Sequence, residues 1–174
     1  MEVADRVVLI TGASSGVGAA LATQLADMGA RVVVNYSRSA EAAEAVVEQI
    51  TGAGGQALAV QADVSEEADC KRLGATTVGH FGQLDVLVNN AGTTTFVPHD
   101  QLDALTEDIW LRTLRVNLIG AFIMSREAAP HIEAAGGGEI VMTSSIASMT
   151  ANGSSIAYCA SKAGMNSLTR TLAK

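Results

Sequence analysis

Short apolar runs alternate along the chain with longer segments in which apolar residues recur every three to four positions. Five runs are typical of buried strands, at residues 6–10, 31–35, 57–61, 84–89 and 139–143. Helical spacing occupies the segments between them, at residues 17–28 and 40–50, from an N-cap at Ser65 to about Val78, from Thr106 to about Ala129, and from Ala157 onward. Strand and helix alternating in this way predict right-handed crossovers and a parallel sheet covered on both faces.

This pattern predicts an α/β fold with a doubly wound, Rossmann-type parallel sheet in three α/β/α layers. We expect the strand order 3-2-1-4-5, with ligands bound beyond the carboxyl ends of the strands where that order reverses. The 174 residues suffice for one buried core, so we assign residues 1–174 to a single domain. Since 48% of the residues are hydrophobic but only 3% aromatic, Val, Ile, Leu and Ala must build that core.

Charge and cysteine usage exclude several classes of partner. A net charge of -7 and the absence of a basic stripe argue against nucleic acid. Cys70 and Cys159 form no CxxC pair, which argues against a metal site and favours reduced thiols in the cytoplasm. The sequence shows no signal peptide and no apolar stretch long enough to span a bilayer, so we expect no membrane partner.

A glycine-rich turn, TGASSGVG at residues 11–18, follows the first predicted strand and opens the first helix. Its first glycine permits a tight turn, its second lets the backbone approach a pyrophosphate, and its third allows close packing of helix on strand. An ordinary glycine turn is the alternative, but the position between strand and helix favours phosphate binding at the helix N-terminus. The predicted cofactor contacts in this turn are Gly12, Ser14, Ser15, Gly16, Val17 and Gly18.

Four short motifs, in chain order, resemble those of the short-chain dehydrogenase/reductase family. The turn has the family's TGxxxGxG spacing, and NNAG at residues 89–92 follows the fourth predicted strand. Asn117 lies in VNL, while Ser145, Tyr158 and Lys162 match the family's Ser…YxxxK pattern. The resemblance covers essentially the whole chain and extends to the 3-oxoacyl-(acyl carrier protein) reductases and to sugar or polyol dehydrogenases. It implies hydride transfer between a nicotinamide cofactor and a small carbonyl or alcohol substrate.

The end of the second strand bears on which cofactor is used. Chains that bind NAD usually carry Asp or Glu there, whereas this chain has Tyr36, Ser37 and Arg38. Arg38 would pair with the 2′-phosphate of NADP(H), and Ser37 would donate to it. The alternative is that Arg38 only decorates an exposed turn, and Ser15 within the glycine turn is not basic. We therefore expect NADP(H), with NAD(H) as the alternative.

The resemblance also implies contacts with the rest of the dinucleotide. Asp63 and Val64 would border the adenine, and the alternative for Asp63 is a turn residue before the helix. Three residues of the NNAG motif would line the cofactor, namely Asn90, Ala91 and Gly92, while Asn89 would tie neighbouring strands together.

Tyr158 and Lys162 lie four residues apart, so both face the same side of a helix. A neighbouring ammonium favours the phenolate form of a tyrosine, which lets the phenol exchange a proton with the substrate oxygen. By resemblance, Lys162 and Tyr158 would also hold the nicotinamide ribose. The alternative is that Tyr158 and Lys162 serve only as helix-capping or packing residues.

Ser145 and Asn117 complete the predicted catalytic set. The hydroxyl of Ser145 would hydrogen-bond the substrate oxygen, and the family spacing favours it over the adjacent Ser144. Asn117 would distort its helix locally and place a water near Lys162 in a proton relay.

Family members continue beyond the last predicted helix with two further strands, a substrate loop and another helix. The sequence ends at Lys174, so we expect a fold without these last strands and with apolar surface exposed at the fifth strand. Family members commonly form dimers or tetramers. Either a partner subunit or the chain's own core would cover the apolar positions Leu114, Leu118, Phe122, Met165 and Leu168.

Three functional hypotheses follow. The first is an active NADP(H)-dependent oxidoreductase, and the second is a dinucleotide-binding fragment of such an enzyme that performs no chemistry. The third is a subunit that uses this fold only for assembly.

Overall fold

A single parallel sheet with the strand order β3-β2-β1-β4-β5 organises the molecule, as predicted. The structure is a computed structural model that describes residues 3–174, so the first two residues of the predicted domain 1–174 lie outside it. The strands are β1 (Val7–Ile10), β2 (Arg31–Tyr36), β3 (Gln56–Gln61), β4 (Val86–Asn89) and β5 (Glu139–Met142).

Helices cover both faces of this sheet, because each crossover between parallel strands must return over one face. They are α1 (Gly16–Asp27), α2 (Ala40–Gly52), α3 (Glu67–Phe81), α4 (Glu107–Leu114), a π-helical segment (Arg115–Gly120), α5 (Ala121–Ala134), α6 (Ala147–Thr150) and α7 (Ile156–Leu172). In residues 3–174, no helix combines the length and apolar character that a membrane crossing requires.

The core has two halves because successive side chains of a strand point to opposite faces. Val7 and Leu9 of β1 belong to the half that also contains buried residues of α3 and α5. Val8 and Ile10 belong to the half formed with α1 and α2. Both halves are built almost entirely from Val, Leu, Ile and Ala, as the aromatic-poor composition predicts.

Two local predictions about helices are wrong. Ser65 does not cap α3, which begins at Glu67 after Glu66, because the Ser65 hydroxyl donates to Asp63 Oδ1 at 2.7 Å in a turn of its own. The long helix does not end before Pro130 and continues to Ala134, with Pro130 inside it.

The apolar positions predicted at a partner or core surface divide between the two environments. Met165 is fully buried within the chain, which excludes it from a partner surface. Phe122 is 41% exposed on α5, and Val141 on β5 is 42% exposed, in line with the exposure expected at the fifth strand.

Asp85, just before β4, forms a buried polar anchor beneath β1. Its carboxylate accepts the Val7 N–H at 2.7 Å, the Arg6 guanidinium at 2.9 Å and the Gln83 amide at 2.7 Å. Burial by itself would raise the pKa of Asp85, but these three donors outweigh it and hold the pKa below its ordinary value.

We expect Asp85→Ala to lower the free energy of unfolding by about 2–3 kcal/mol, since it leaves a buried N–H of β1 without an acceptor. Because the pKa of Asp85 is lower in the folded than in the unfolded chain, this stabilisation is complete above the unfolded pKa of about 4. It disappears as the pH falls through the folded pKa. Urea denaturation across this pH range measures the difference between variant and unaltered protein.

Arg6→Met is the matched control, because it leaves the Val7 N–H and the Gln83 amide bonded to Asp85, and water can reach the position of the guanidinium, whose side chain is 39% exposed. A loss as large for Arg6→Met as for Asp85→Ala would show that the anchor depends on the ion pair and not on the buried carboxylate.

Candidate functional site

The glycine turn between β1 and α1 has the geometry that its three glycines predict. Gly12 and Gly16 have φ values of +63° and +57°, a region that side-chain-bearing residues rarely adopt. A Cβ at Gly12 would lie 2.9 Å from the Ala91 Cα, and one at Gly18 would lie 2.6 Å from the Asn90 amide nitrogen. A Cβ at Gly16 would meet open space, so the turn packs inward at its first and third glycines and opens outward at its second.

Two asparagines and a threonine fix this turn to the strands on either side. Asn35 at the end of β2 accepts the Gly12 N–H at 3.1 Å and donates to the Val60 and Ala62 carbonyls. Asn90 donates to the Thr11 and Gly12 carbonyls at 2.9 and 3.1 Å. Neither Asn35 nor Thr11 was among the site residues predicted from the sequence. A buried polar side chain ending the apolar run VVV was the available signal for Asn35.

A cleft of about 920 Å³ opens beyond the carboxyl ends of β1, β2 and β4, where the strand order reverses. It brings together eleven of the predicted cofactor residues: Gly12, Ser14, Ser15, Tyr36, Ser37, Arg38, Asp63, Val64, Asn90, Ala91 and Gly92. Three others, Gly16, Val17 and Gly18, begin α1 beside it. The volume is typical of a cleft that holds a cofactor.

The part of the cleft at the ends of β2 and β3 is lined by a cationic side chain, Arg38, and by the turn residue Asp63. Ser37 and Arg38 are exposed at the end of β2, with no carboxylate at that strand end. Asp63 lines the cleft and is also a turn residue, because its Oδ1 accepts both the N–H and the hydroxyl of Ser65. Both interpretations of Asp63 therefore have a structural basis.

Lys162 is buried beside the Gly92 end of the cleft, although its side chain carries a charge. Its Nζ donates to the Thr143 carbonyl at 2.7 Å and lies 5.8 Å from the centre of the Tyr158 ring. A Cβ at Gly92 would lie 3.7 Å from this Nζ. Burial lowers the pKa of the Lys162 ammonium below its ordinary value.

Asn117 is fully buried in the π-helical segment, where we predicted a local distortion of the helix. Its Oδ1 accepts the Thr93 N–H at 2.7 Å, and its amide donates to the Thr93 carbonyl and to Ser161 Oγ. Ser161 in turn donates to the Tyr158 carbonyl at 2.7 Å. Asn117 therefore links the segment after β4 to the helix that carries Tyr158 and Lys162.

The two serines after β5 differ in how their hydroxyls are used. Ser145 Oγ accepts the Ala147 N–H at 3.2 Å, which leaves its own proton free to donate. Ser144 Oγ donates its proton to the Lys162 carbonyl at 3.4 Å. Contacts of Lys162 with Thr143 and Ser144 bring the segment that carries Ser145 against α7.

Residues of α4 and of the π-helical segment form a wall of the cleft, and none of them was predicted as a site residue: Leu111, Arg112, Leu114, Arg115, Val116 and Ile119. Helical spacing had suggested core or interface roles for this helix, and no local motif marks its cleft-facing side. Within residues 3–174, no group of three or more His, Cys, Asp or Glu side chains could hold a metal ion.

Fold and cleft together define a doubly wound α/β protein of the dinucleotide-binding class. The family model for short chain dehydrogenases matches residues 6–174. The chain belongs to the short-chain dehydrogenase family.

Similar proteins include a 3-oxoacyl-[acyl-carrier-protein] reductase from Synechocystis, 40% identical over 97% of this chain and 67% of the relative. Versicolorin reductase 1 of Aspergillus parasiticus is 47% identical over 80% of this chain and 52% of the relative. The structure of a short-chain dehydrogenase/reductase from Serratia marcescens superposes with a TM-score of 0.88 and 37% identity, covering 99% of this chain and 69% of that one. The chain thus spans about two thirds of the length of its curated relatives, or less.

Proposed function

We propose that the protein is an NADP(H)-dependent oxidoreductase that interconverts a carbonyl and a secondary alcohol. One observation carries this proposal: Lys162 and Asn117 converge on Gly92 at one end of the cleft, with the Tyr158 ring beside the Lys162 ammonium. A phenol beside a buried ammonium is a proton-transfer device, and here it adjoins a cleft of the dinucleotide type.

The residues present fit a nicotinamide dinucleotide. The outward-opening Gly16 and an α1 N-terminus without a side-chain cap suit a pyrophosphate. Ser37 and Arg38, with no acid at the same strand end, suit the 2′-phosphate of NADP(H). The bound dinucleotide supplies the hydride, and the protein supplies position, polarity and the proton.

Tyr158 would donate its proton to the carbonyl oxygen of the substrate, or accept it in the reverse direction. Lys162 would stabilise the resulting phenolate and hold the nicotinamide ribose, since its Nζ adjoins Gly92 in the cleft. Asn117 would keep the segment after β4 and helix α7 in register through Thr93 and Ser161. Asn117 would also place a water near Lys162 in a proton relay.

Ser145 would donate a hydrogen bond to the same substrate oxygen and stabilise the charge that develops there. We expect Ser145→Ala to lower kcat about 100-fold or more, the usual effect of removing one such donor. Ser144→Ala is the matched control and should have a much smaller effect, because that hydroxyl binds the Lys162 carbonyl. Steady-state kinetics on both variants decide between the adjacent serines, and a larger loss for Ser144→Ala would reverse the assignment.

The function itself is tested by a screen for NADPH and NADH oxidation with acetoacetyl thioesters, ketones and sugars. Turnover of any carbonyl class with NADPH supports the proposal and names the substrate. Dinucleotide binding without turnover of any of them would favour a non-catalytic dinucleotide-binding protein. Failure to bind either dinucleotide would contradict both hypotheses.

Small carbonyl compounds are the proposed substrates, with 3-oxoacyl thioesters first because one relative is a 3-oxoacyl-[acyl-carrier-protein] reductase. We also propose a homodimer or homotetramer. The exposed apolar side chain of Phe122 on α5, which does not line the cleft, supports association through that helix.

A further inference from the structure

The π-helical segment Arg115–Gly120 contacts the loop between β3 and α3 through its two terminal residues. Arg115 Nε donates to the Ser65 carbonyl at 2.9 Å. Gly120 packs so closely on the same loop that a Cβ added there would lie 2.6 Å from the Val64 carbonyl oxygen. Asn117, between them, binds Thr93 in the segment after β4.

The π-helical geometry explains how one short segment makes both sets of contacts. In an α-helix of 3.6 residues per turn, residues five apart differ in direction by about 140°. A π-helix closes its hydrogen bond from residue i to i+5, so residues 115 and 120 lie one turn apart on the same side. Asn117, two residues from Arg115, falls about half a turn away and faces the opposite direction.

We infer that Arg115 and Gly120 are positioning residues for the adenosine half of the dinucleotide. They hold Val64 and Ser65, and thereby fix the place of Asp63 and Val64 where these line the cleft. Neither residue needs to touch the reacting atoms for this role. The inference rests on the proposed function, because it assigns a part of the same cleft to one half of the same cofactor.

Glycine is required at position 120 for close approach of another backbone. The same added Cβ would also lie 3.2 Å from the Arg115 carbonyl oxygen, so it cannot be relieved by a shift towards the π-helical turn itself. Any side chain at this position must therefore displace the Val64 carbonyl and, with it, the wall of the adenosine site.

The test is the affinity of the protein for ADP-ribose and for 2′,5′-ADP, measured by titration calorimetry without substrate or turnover. For whichever of these two ligands the unaltered protein binds, we expect Gly120→Ala to raise the Kd about tenfold. A change of this size corresponds to the loss of one well-placed hydrogen bond. Gly79→Ala is the matched control, because Gly79 lies in helix α3 and a Cβ there meets nothing within 4 Å. Its Kd should equal that of the unaltered protein.

Arg115→Lys keeps the positive charge in the cleft but loses the Nε donor to Ser65, and it carries the test should Gly120→Ala fail to fold. We expect its Kd for the fragment to rise several-fold, with a matching rise in KM for NADPH and with kcat retained. Fragment affinities unchanged in both variants would overturn this inference while leaving the proposed function standing. An unaltered protein that binds neither fragment nor either dinucleotide would overturn the proposed function itself.

Discussion

Tyr158→Phe is expected to lower kcat about 10³-fold or more, since it removes the group that exchanges a proton with the substrate oxygen. Phenylalanine keeps the ring that packs beside the Lys162 ammonium and removes only the hydroxyl. The contacts of Lys162 with Thr143 and of Asn117 with Thr93 do not involve that hydroxyl. The Kd for NADPH should therefore stay near that of the unaltered protein.

Two measurements on the same preparation test this expectation. Steady-state turnover gives the loss in kcat, and NADPH fluorescence titration gives the Kd. A variant that keeps a tenth or more of the original kcat would contradict the assigned role of Tyr158. A variant that loses turnover and NADPH affinity together would indicate that the hydroxyl supports the cleft and not the proton transfer.

Arg38→Asp is expected to reverse the preference between the two nicotinamide cofactors. Loss of a charge-assisted pair with the 2′-phosphate, together with repulsion from the new carboxylate, should lower NADPH affinity about 100-fold. NADH affinity should fall little or rise, because a carboxylate at the end of the second strand can accept the ribose hydroxyls. Fluorescence titration with both dinucleotides measures the two changes separately.

Arg112→Gln provides the matched control, because Arg112 lines the same cleft from helix α4 and not from the end of β2. It should change NADPH and NADH affinities by similar factors, since a general loss of positive charge does not distinguish the 2′-position. Equal losses for both cofactors in Arg38→Asp would count against NADP(H) and leave NAD(H) as the better assignment.

Much of the fold could be predicted because its signals are local and repeated. The run RVVLI before a glycine turn, and RVVVN before a second helix, have the composition of strands buried on both faces. Once five such runs alternate with helical spacing, the right-handedness of crossovers restricts the topology to few alternatives. Strand order and the position of the cleft followed from these observations.

Boundaries that depend on tertiary contacts were less accurate. The Ser65 hydroxyl serves Asp63 instead of capping α3, a choice between two acceptor arrangements that look alike in sequence. The turn of π-helix at residues 115–120 has no periodicity that could reveal it, and only the family resemblance at Asn117 led us to expect a local distortion there. It is held by the Thr93 backbone, by Ser161 and by the Val64 carbonyl, all distant in sequence.

The candidate site divides in the same way. Gly12 and Gly16 could be found from their position between a strand and a helix, and Tyr158 and Lys162 from the resemblance to the family's YxxxK pattern. The hydrogen bond of Asn35 with the glycine turn, and that of Arg115 with the loop after β3, could not be predicted, because each joins residues far apart in the chain.

The class of fold, the glycine turn and the placing of a phenol and an amine on one helix face could all be inferred from the order of residues. The folded chain was needed to show which serine hydroxyl keeps a free proton, how Asn117 is hydrogen-bonded, and which residues of the π-helical segment border the cleft. The difference lies in range, because backbone propensity and helical spacing act over a few residues and can be recognised along the chain. Hydrogen-bond partners and close backbone approaches join segments whose proximity exists only after the sheet has formed.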